Sequence, residues 1–576
     1  MTYEKILKKV GSFGRYQKWL CFYLFLSSVP NGYLVLSIVF AGLTPPHRCY
    51  VPELDGTNSS HYSTVNTASN SSEKYNRESL NEMLDVFIPR DNDGNYNKCH
   101  MFNGTVSSNV TNSSSQIVVC QHGWKYDIDN GRTTFVTEWN LVCSRSTIPP
   151  IITSIFMIGV MVGSALCGIL ADKVGRRPMF LAGTVLMFIF FGVCGLAPSP
   201  TVFSVMMFFS GASNLINYAT AFVLASEIVD TTKRVAIGTI TVGGFAVGYM
   251  LIPLVAYFIT DWKMIYIATG LSGVAFLPYF WLIPESPRWL YTKERYVEFK
   301  SLMAKIGHAN GLSKVEVKNL FQDGQFEGQP DADEGLQPTT DKHIWYPVEE
   351  KSHPPYCEMI RNSITRFRFF NICFTWFSNA VIYYGISLNT SNLGGSPYFN
   401  CFIAAAVEIP AYVIVIFSLK KIGRKQLVIG TILVSGVACG LVPFLREVSV
   451  PLSIAMAMVG KFGVAASFDV VYIYCAELFP TVIRNTSVGF GSTSARIGAA
   501  VAPYLIYLEQ TNAVLPYTIM LILSVTSALL TVFLPETGQK PLPETYEDLE
   551  RYMPRLSWMK VKKLRANKKD RISAVI

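Results

Sequence analysis

Charge is what this 576-residue chain has least of: Asp, Glu, Lys and Arg together make up 15% of it, and histidine occurs only 7 times. A soluble chain of this length would fold as several domains with well-charged surfaces. Half of the residues here are apolar and the mean hydropathy is +0.30, which excludes that class and points to a membrane protein. No Gly-x4-Gly-Lys-Ser/Thr phosphate loop is present, so nucleotide-driven chemistry is not expected. His47, His61, His100 and His122 share one polar segment without metal-site spacing, so no metal centre is expected and an intramembrane enzyme is disfavoured. The formal charge of +9 collects near the ends of the chain, which does not describe a nucleic-acid-binding face.

Long apolar runs are what the chain has instead. Spanning a bilayer takes roughly 20 apolar residues. Twelve such stretches are expected, at about 18–42, 149–171, 178–197, 201–226, 235–259, 263–283, 367–388, 398–420, 426–446, 450–475, 486–508 and 514–534. The first lacks a small-x-small cleavage site and is too long for a signal peptide. An even number places both termini on one side. Residues 1–17 (Lys5, Lys8, Lys9, Arg15) and 535–576 (Arg551 to Arg571) are basic, so both are assigned to the cytoplasm.

Residues 43–148 then form a large extracellular loop. It carries five acceptor sequons, at Asn58, Asn70, Asn103, Asn109 and Asn112, and four cysteines, Cys49, Cys99, Cys120 and Cys143. Four cysteines allow three pairings, and the sequence does not choose among them. On the opposite side, residues 285–366 form a cytoplasmic loop. It opens with amphipathic helix over Arg288–Ala309 and continues as a Gly/Pro/acid-rich linker over Gln322–Lys342.

One turn recurs. Gly168-Ile-Leu-Ala-Asp172-Lys-Val-Gly175-Arg176-Arg177 joins two apolar runs, and Lys420-Lys-Ile-Gly423-Arg424-Lys425 repeats it 248 residues later. Glu227 with Arg234 returns as Glu477 with Arg484 at an offset of 250, and Pro284-Glu-Ser286 as Pro535-Glu-Thr537 at 251. Matched offsets of this length mean a duplicated six-helix half, 149–284 with the first helix and 367–534. Each Glu is expected to clamp the Asp172/Gly175/Arg176/Arg177 or Gly423/Arg424 turn by an ion pair that breaks and re-forms.

The turn resembles the signature of the major facilitator superfamily. Thr137-Glu-Trp-Asn-Leu-Val-Cys143, Cys120-Gln-His-Gly-Trp124, Pro284-Glu-Ser-Pro-Arg-Trp-Leu290 and Ala476-Glu-Leu-Phe-Pro-Thr-Val-Ile-Arg-Asn485 resemble the solute carrier 22 family of organic ion transporters. Val29-Pro-Asn-Gly32, Asn217-Tyr218 to Leu224, Gly385 to Leu393 and Val459-Gly-Lys-Phe-Gly463 are most similar to its organic cation/carnitine branch. The resemblance implies an all-α polytopic protein of twelve helices in two halves, working as a monomeric secondary transporter in the plasma membrane.

Intramembrane charges then become site candidates. Arg496 lies mid-span, where the cation-transporting branch is acidic and the carnitine and anion branches have arginine; it would grip a carboxylate, or pair internally with Asp469 or Glu408. Lys461 would be a second anion contact or a competitor for those carboxylates. Glu408 would balance Arg496, meet a substrate cation or help hold sodium, the candidate coupling ion. Tyr218, Tyr384 and Tyr472 offer ring faces to a quaternary ammonium, and Asn31 and Asn217 offer oxygens to sodium or to each other. The rival readings are an organic anion exchanger, a sodium-independent cation uniporter and a receptor or scaffold.

Overall fold

The computed structural model describes residues 3–55, 84–91, 94–103, 116–128, 131–322, 360–538 apart from 362 and 420, and 543. Asn58, Asn70, Asn109 and Asn112, most of the central linker and nearly all of the tail lie outside the described residues, whereas Asn103 is exposed.

The chain opens with a helix that no apolar run announces, α1 (Tyr3–Gly11). It is too short to register as a span, yet it buries Tyr3, Ile6, Leu7 and Val10 on one face and leaves Lys5, Lys8 and Lys9 exposed. The first half continues with α2 (Arg15–Ala41), α3 (Ile148–Val174), α4 (Arg176–Cys194), α5 (Pro200–Glu227), α6 (Thr231–Phe258) and α7 (Trp262–Leu271). α8 (Tyr296–Ala309) packs Phe299, Met303 and Ile306 against α1. The second half holds α9 (Ser363–Leu388), α10 (Pro397–Ala406), α11 (Glu408–Ser418), α12 (Arg424–Val448), α13 (Val450–Leu478), α14 (Thr481–Tyr507) and α15 (Leu515–Val532).

Among the described residues, nine helical segments are long and apolar enough to cross a membrane by length and composition. α5, α9 and α14 are as long but more polar, because they line the middle of the bundle: Ser210, Asn217, Thr375, Asn379 and Ser487 are all fully buried on them. The run at 398–420 is two helices rather than one. Pro410 has no N–H to give to Ala406, and the break falls between α10 and α11, at Val407, so that Glu408 opens α11.

The loop after α2 is a small fold of its own. Strands β1 (His47–Cys49) and β4 (Trp124–Tyr126) pair antiparallel, as do β2 (His100–Phe102) and β3 (Ile117–Val119). Cys49 is bonded to Cys120 and Cys99 to Cys143, around a core of Val51, Leu84, Phe87, Ile88 and Met101. Asp55 anchors it: its buried carboxylate takes Arg48 Nη2 and Lys125 Nζ, both at 2.8 Å, and the Val51 N–H at 2.9 Å. Burial alone would raise this carboxyl, but the Arg48, Lys125 and Val51 donors outweigh it and bring it to about 2. The bonds therefore add full stability above the ordinary carboxylate value near 4 and lose it as pH falls through about 2. Asp55→Asn is expected to remove about 2 kcal/mol and the acid-dependent part of Val51 amide protection in hydrogen exchange between pH 5 and 2; a variant as protected as the parent would contradict this.

The two halves meet at the loop end of the bundle and, through Tyr249, deeper inside it. Ser154 Oγ donates to Ala500 O at 2.7 Å, Ser146 Oγ meets Tyr507 Oη at 3.1 Å, and Tyr249 Oη reaches Ser387 O at 3.5 Å.

Candidate functional site

At the turn end, each half builds the same knot. In the first, Arg176 Nε lies 3.3 Å from Glu227 Oε2, Arg176 Nη2 lies 2.9 Å from Asp172, and Ser286 Oγ donates to Glu227 at 2.5 Å. Glu285 Oε1 accepts the backbone N–H groups of Arg176 and Arg177 at 2.9 and 3.1 Å, taking up orphan donors at the N-terminus of α4. In the second half, Arg424 Nε lies 3.1 Å from Glu477, Thr537 Oγ1 donates to Glu477 at 2.7 Å, and Glu536 takes the N–H groups of Arg424 and Lys425 at 2.8 and 3.1 Å.

The glycines serve this knot differently. Gly175 has φ +117°, and a Cβ there would stand 2.5 Å from Glu285 Oε2; Gly423 has an ordinary φ of −63°, and only the space, 2.2 Å from Glu536 Oε2, requires glycine. Arg234 and Arg484 are not the partners of these carboxylates. Their guanidiniums donate to Ser226 O and Pro543 O, at 3.0 and 3.4 Å. Arg177 reaches Phe280 O at 2.6 Å. Glu285, Ser286, Glu536 and Thr537 were recognisable in the sequence as repeat landmarks; Ser286 and Thr537 donate to the Glu227 and Glu477 carboxylates, whereas Glu285 and Glu536 bind backbone N–H groups, which side-chain patterns do not reveal.

In the middle of the bundle Glu408 and Lys461 pair with each other. Lys461 Nζ is 2.8 Å from Glu408 Oε1, both residues are fully buried, and Ser387 Oγ lies 2.6 Å from Nζ. Tyr383 and Tyr412 donate their hydroxyls to the two Glu408 oxygens at 2.6 and 3.1 Å, and the Tyr383 ring centroid is 3.3 Å from Nζ. The Tyr249 ring, from the other half, is 5.4 Å from the same ammonium.

Arg496 is thereby left without Glu408. Among the described residues no ion pair joins it to Asp469 either, and its Nε is buried without an acceptor. Tyr218, Tyr384 and Tyr472 are its electrostatic neighbours, so α5, α9, α13 and α14 bring one guanidinium and three phenols together between the halves. Tyr472 packs edge-on against Trp376 at 4.2 Å and Tyr218 against Phe245 at 6.3 Å. Asp469 is partly buried on the same helix as Tyr472. Asn31 and Asn217 bond each other: Asn31 Nδ2 donates to Asn217 Oδ1 at 2.9 Å, and Asn217 Nδ2 to Thr184 at 2.7 Å, leaving Asn31 Oδ1 buried without a donor. Tyr474, another intramembrane tyrosine, is apart from this group and binds Pro535 O at 2.7 Å.

A guanidinium with no carboxylate partner among the described residues, hydrogen-bonded to Tyr384 and set between two homologous halves, suits recognition of a solute with a carboxylate and a cation. The family described as "Sugar (and other) transporter" matches residues 144–549. The chain is 35% identical to "Organic cation transporter protein" of Drosophila melanogaster over 96% of this chain and 95% of that one. It is 32% identical to human "Organic cation/carnitine transporter 2" over 95% and 94% of the two chains. The fold is that of the xylose transporter XylE from E. coli in its partially occluded, inward-open conformation, with a TM-score of 0.56 at 15% identity over 92% of this chain and all of that one. These relatives are membrane transporters and not enzymes. The chain belongs to the major facilitator superfamily and, within it, to the solute carrier 22 organic cation/carnitine transporters.

Proposed function

We propose that this protein carries a small zwitterion of the carnitine kind, a quaternary ammonium with a carboxylate, across the plasma membrane by alternating access. The observation that carries the reading is Arg496: a guanidinium between the halves with no carboxylate partner among the described residues, hydrogen-bonded to Tyr384 and electrostatically coupled to Tyr218 and Tyr472. Arginine binds the carboxylate in a bidentate grip and the phenols face the ammonium. Twelve helices span the membrane, the disulfide-bonded loop and its glycans lie outside, both termini lie in the cytoplasm, and one chain suffices. Sodium drives uptake, with Asn31 Oδ1, buried without a hydrogen-bond donor among the described residues, as one of its oxygens.

Uptake of radiolabelled carnitine and of tetraethylammonium, with sodium present or replaced, tests the reading in cells expressing the chain. Sodium-driven carnitine uptake is expected. Tetraethylammonium uptake indifferent to sodium, without carnitine uptake, would instead make the protein a cation uniporter.

The turn-end knots act on rate. Within each half they tie the ends of three chain segments together, and the ion pair releases and re-forms as the halves rock. Glu227→Gln removes the Arg176 pair but leaves Glu285 on the α4 amides, so the maximal rate is expected to fall severalfold with KM little changed. An unaltered rate at normal surface expression would mean that the pair only anchors.

A further inference from the structure

Tyr398, at the second position of α10, belongs to the second half, but its ring lies against the first. It stacks on Phe40 of α2 at 5.4 Å and 11° and meets Tyr257 of α6 edge-on at 5.5 Å. The Arg132 guanidinium caps it, 4.8 Å from the ring centroid, and the Tyr398 hydroxyl is buried without a hydrogen-bond partner.

Arg132 comes from the loop, and the loop is fixed to the first half. Thr133 N donates to Thr260 O at 3.1 Å and Thr133 Oγ1 to Asp261 at 2.8 Å. Glu138 accepts Trp262 Nε1 at 2.9 Å and Lys263 Nζ at 2.6 Å. Toward the second half the same loop segment offers the Arg132 cap and the Ser146–Tyr507 bond.

We propose that this segment is the outer gate latch: it travels with the first half and closes on the second through Tyr398 and Tyr507. Tyr398 is a plug seated by ring contacts alone, so it leaves its pocket without giving up a hydrogen bond, and Arg132 holds it shut. The proposal rests on the orientation given above.

Cys401, one turn deeper on α10 and fully buried, is a native reporter of what lies beneath the plug. Its modification is followed by peptide mass spectrometry on the full chain at the surface of intact cells. The probes are membrane-impermeant methanethiosulfonates of either charge, trimethylammonium and sulfonate. Arg132→Gln and Tyr398→Ala are each expected to speed modification roughly threefold to tenfold with both reagents, as loss of one cation–π contact implies; Cys401→Ser marks the signal. Rates unchanged in Arg132→Gln, or raised for the cation and lowered for the anion, would overturn the latch, the latter showing only electrostatic steering. If Tyr398→Ala does not reach the surface, Arg132→Gln decides alone. A glycosidase-sensitive mass shift on intact cells checks the orientation separately, and no step relies on the transported solute.

Discussion

Replacing Arg496 with alanine is expected to abolish uptake of a carboxylate-bearing zwitterion while leaving the protein folded and at the cell surface. The second half of that statement follows from the structure. A buried arginine held in a salt bridge would, on removal, strand its partner carboxylate and destabilise the fold. Among the described residues Arg496 has no such partner: Glu408 is bound by Lys461 and two tyrosine hydroxyls, and no ion pair ties Arg496 to Asp469. What is lost is therefore its interaction with substrate. A bidentate charged contact is worth about 3 kcal/mol, roughly a hundredfold in affinity. Arg496→Lys keeps the charge without the fork and is expected to recover part of that. Tetraethylammonium has no carboxylate, so its uptake should be little changed in either variant. Equal loss of both solutes in Arg496→Ala, with surface expression intact, would return the residue to a structural role.

Much of the architecture was legible because a bilayer allows few solutions. Every backbone group within it must be paired inside the chain, so long apolar runs become helices wherever they occur. α5, α9 and α14 still read as spans, since the apolar runs at 201–226, 367–388 and 486–508 reach bilayer length despite the polar residues they bury. Three things were out of reach. The start of α11 depends on one proline inside an otherwise unbroken apolar run, Pro410. The α1 helix gains its stability from Phe299 and Met303, nearly 300 residues away, and not from its own length. Glu285 and Glu536 act on backbone amides, which no side-chain repeat announces. The cluster itself was partly legible. Arg496, Lys461 and Glu408 stood out as charges in apolar surroundings, but which cation Glu408 would hold depends on how α11, α13 and α14 lie side by side. Pairwise packing of helices decides that, and sequence order does not encode it.

That pairing makes Glu408→Gln the most damaging single change expected in the second half. The substitution leaves Lys461 fully buried with Ser387 Oγ and the ring faces of Tyr383 and Tyr249 as its remaining company. An ammonium stranded this way costs about 3–5 kcal/mol, enough to empty the cell surface of most of the protein. Lys461→Met should be milder, because Glu408 keeps the hydroxyls of Tyr383 and Tyr412. The double variant Glu408→Gln with Lys461→Met removes both charges together, and replacing a buried ion pair as a unit is often neutral. It is expected to recover the thermal stability of the solubilised full chain to within about 1 kcal/mol of the parent. Uptake by that double variant then separates two roles. If Glu408 serves only to neutralise Lys461, tetraethylammonium and carnitine uptake return with the stability. If the protein refolds but both uptakes stay absent, the carboxylate also meets the substrate's cation, and the ammonium of Lys461 holds its place until the substrate arrives. A double variant no more stable than Glu408→Gln alone would remove the premise, since Lys461 would then not be what makes the lost carboxylate costly.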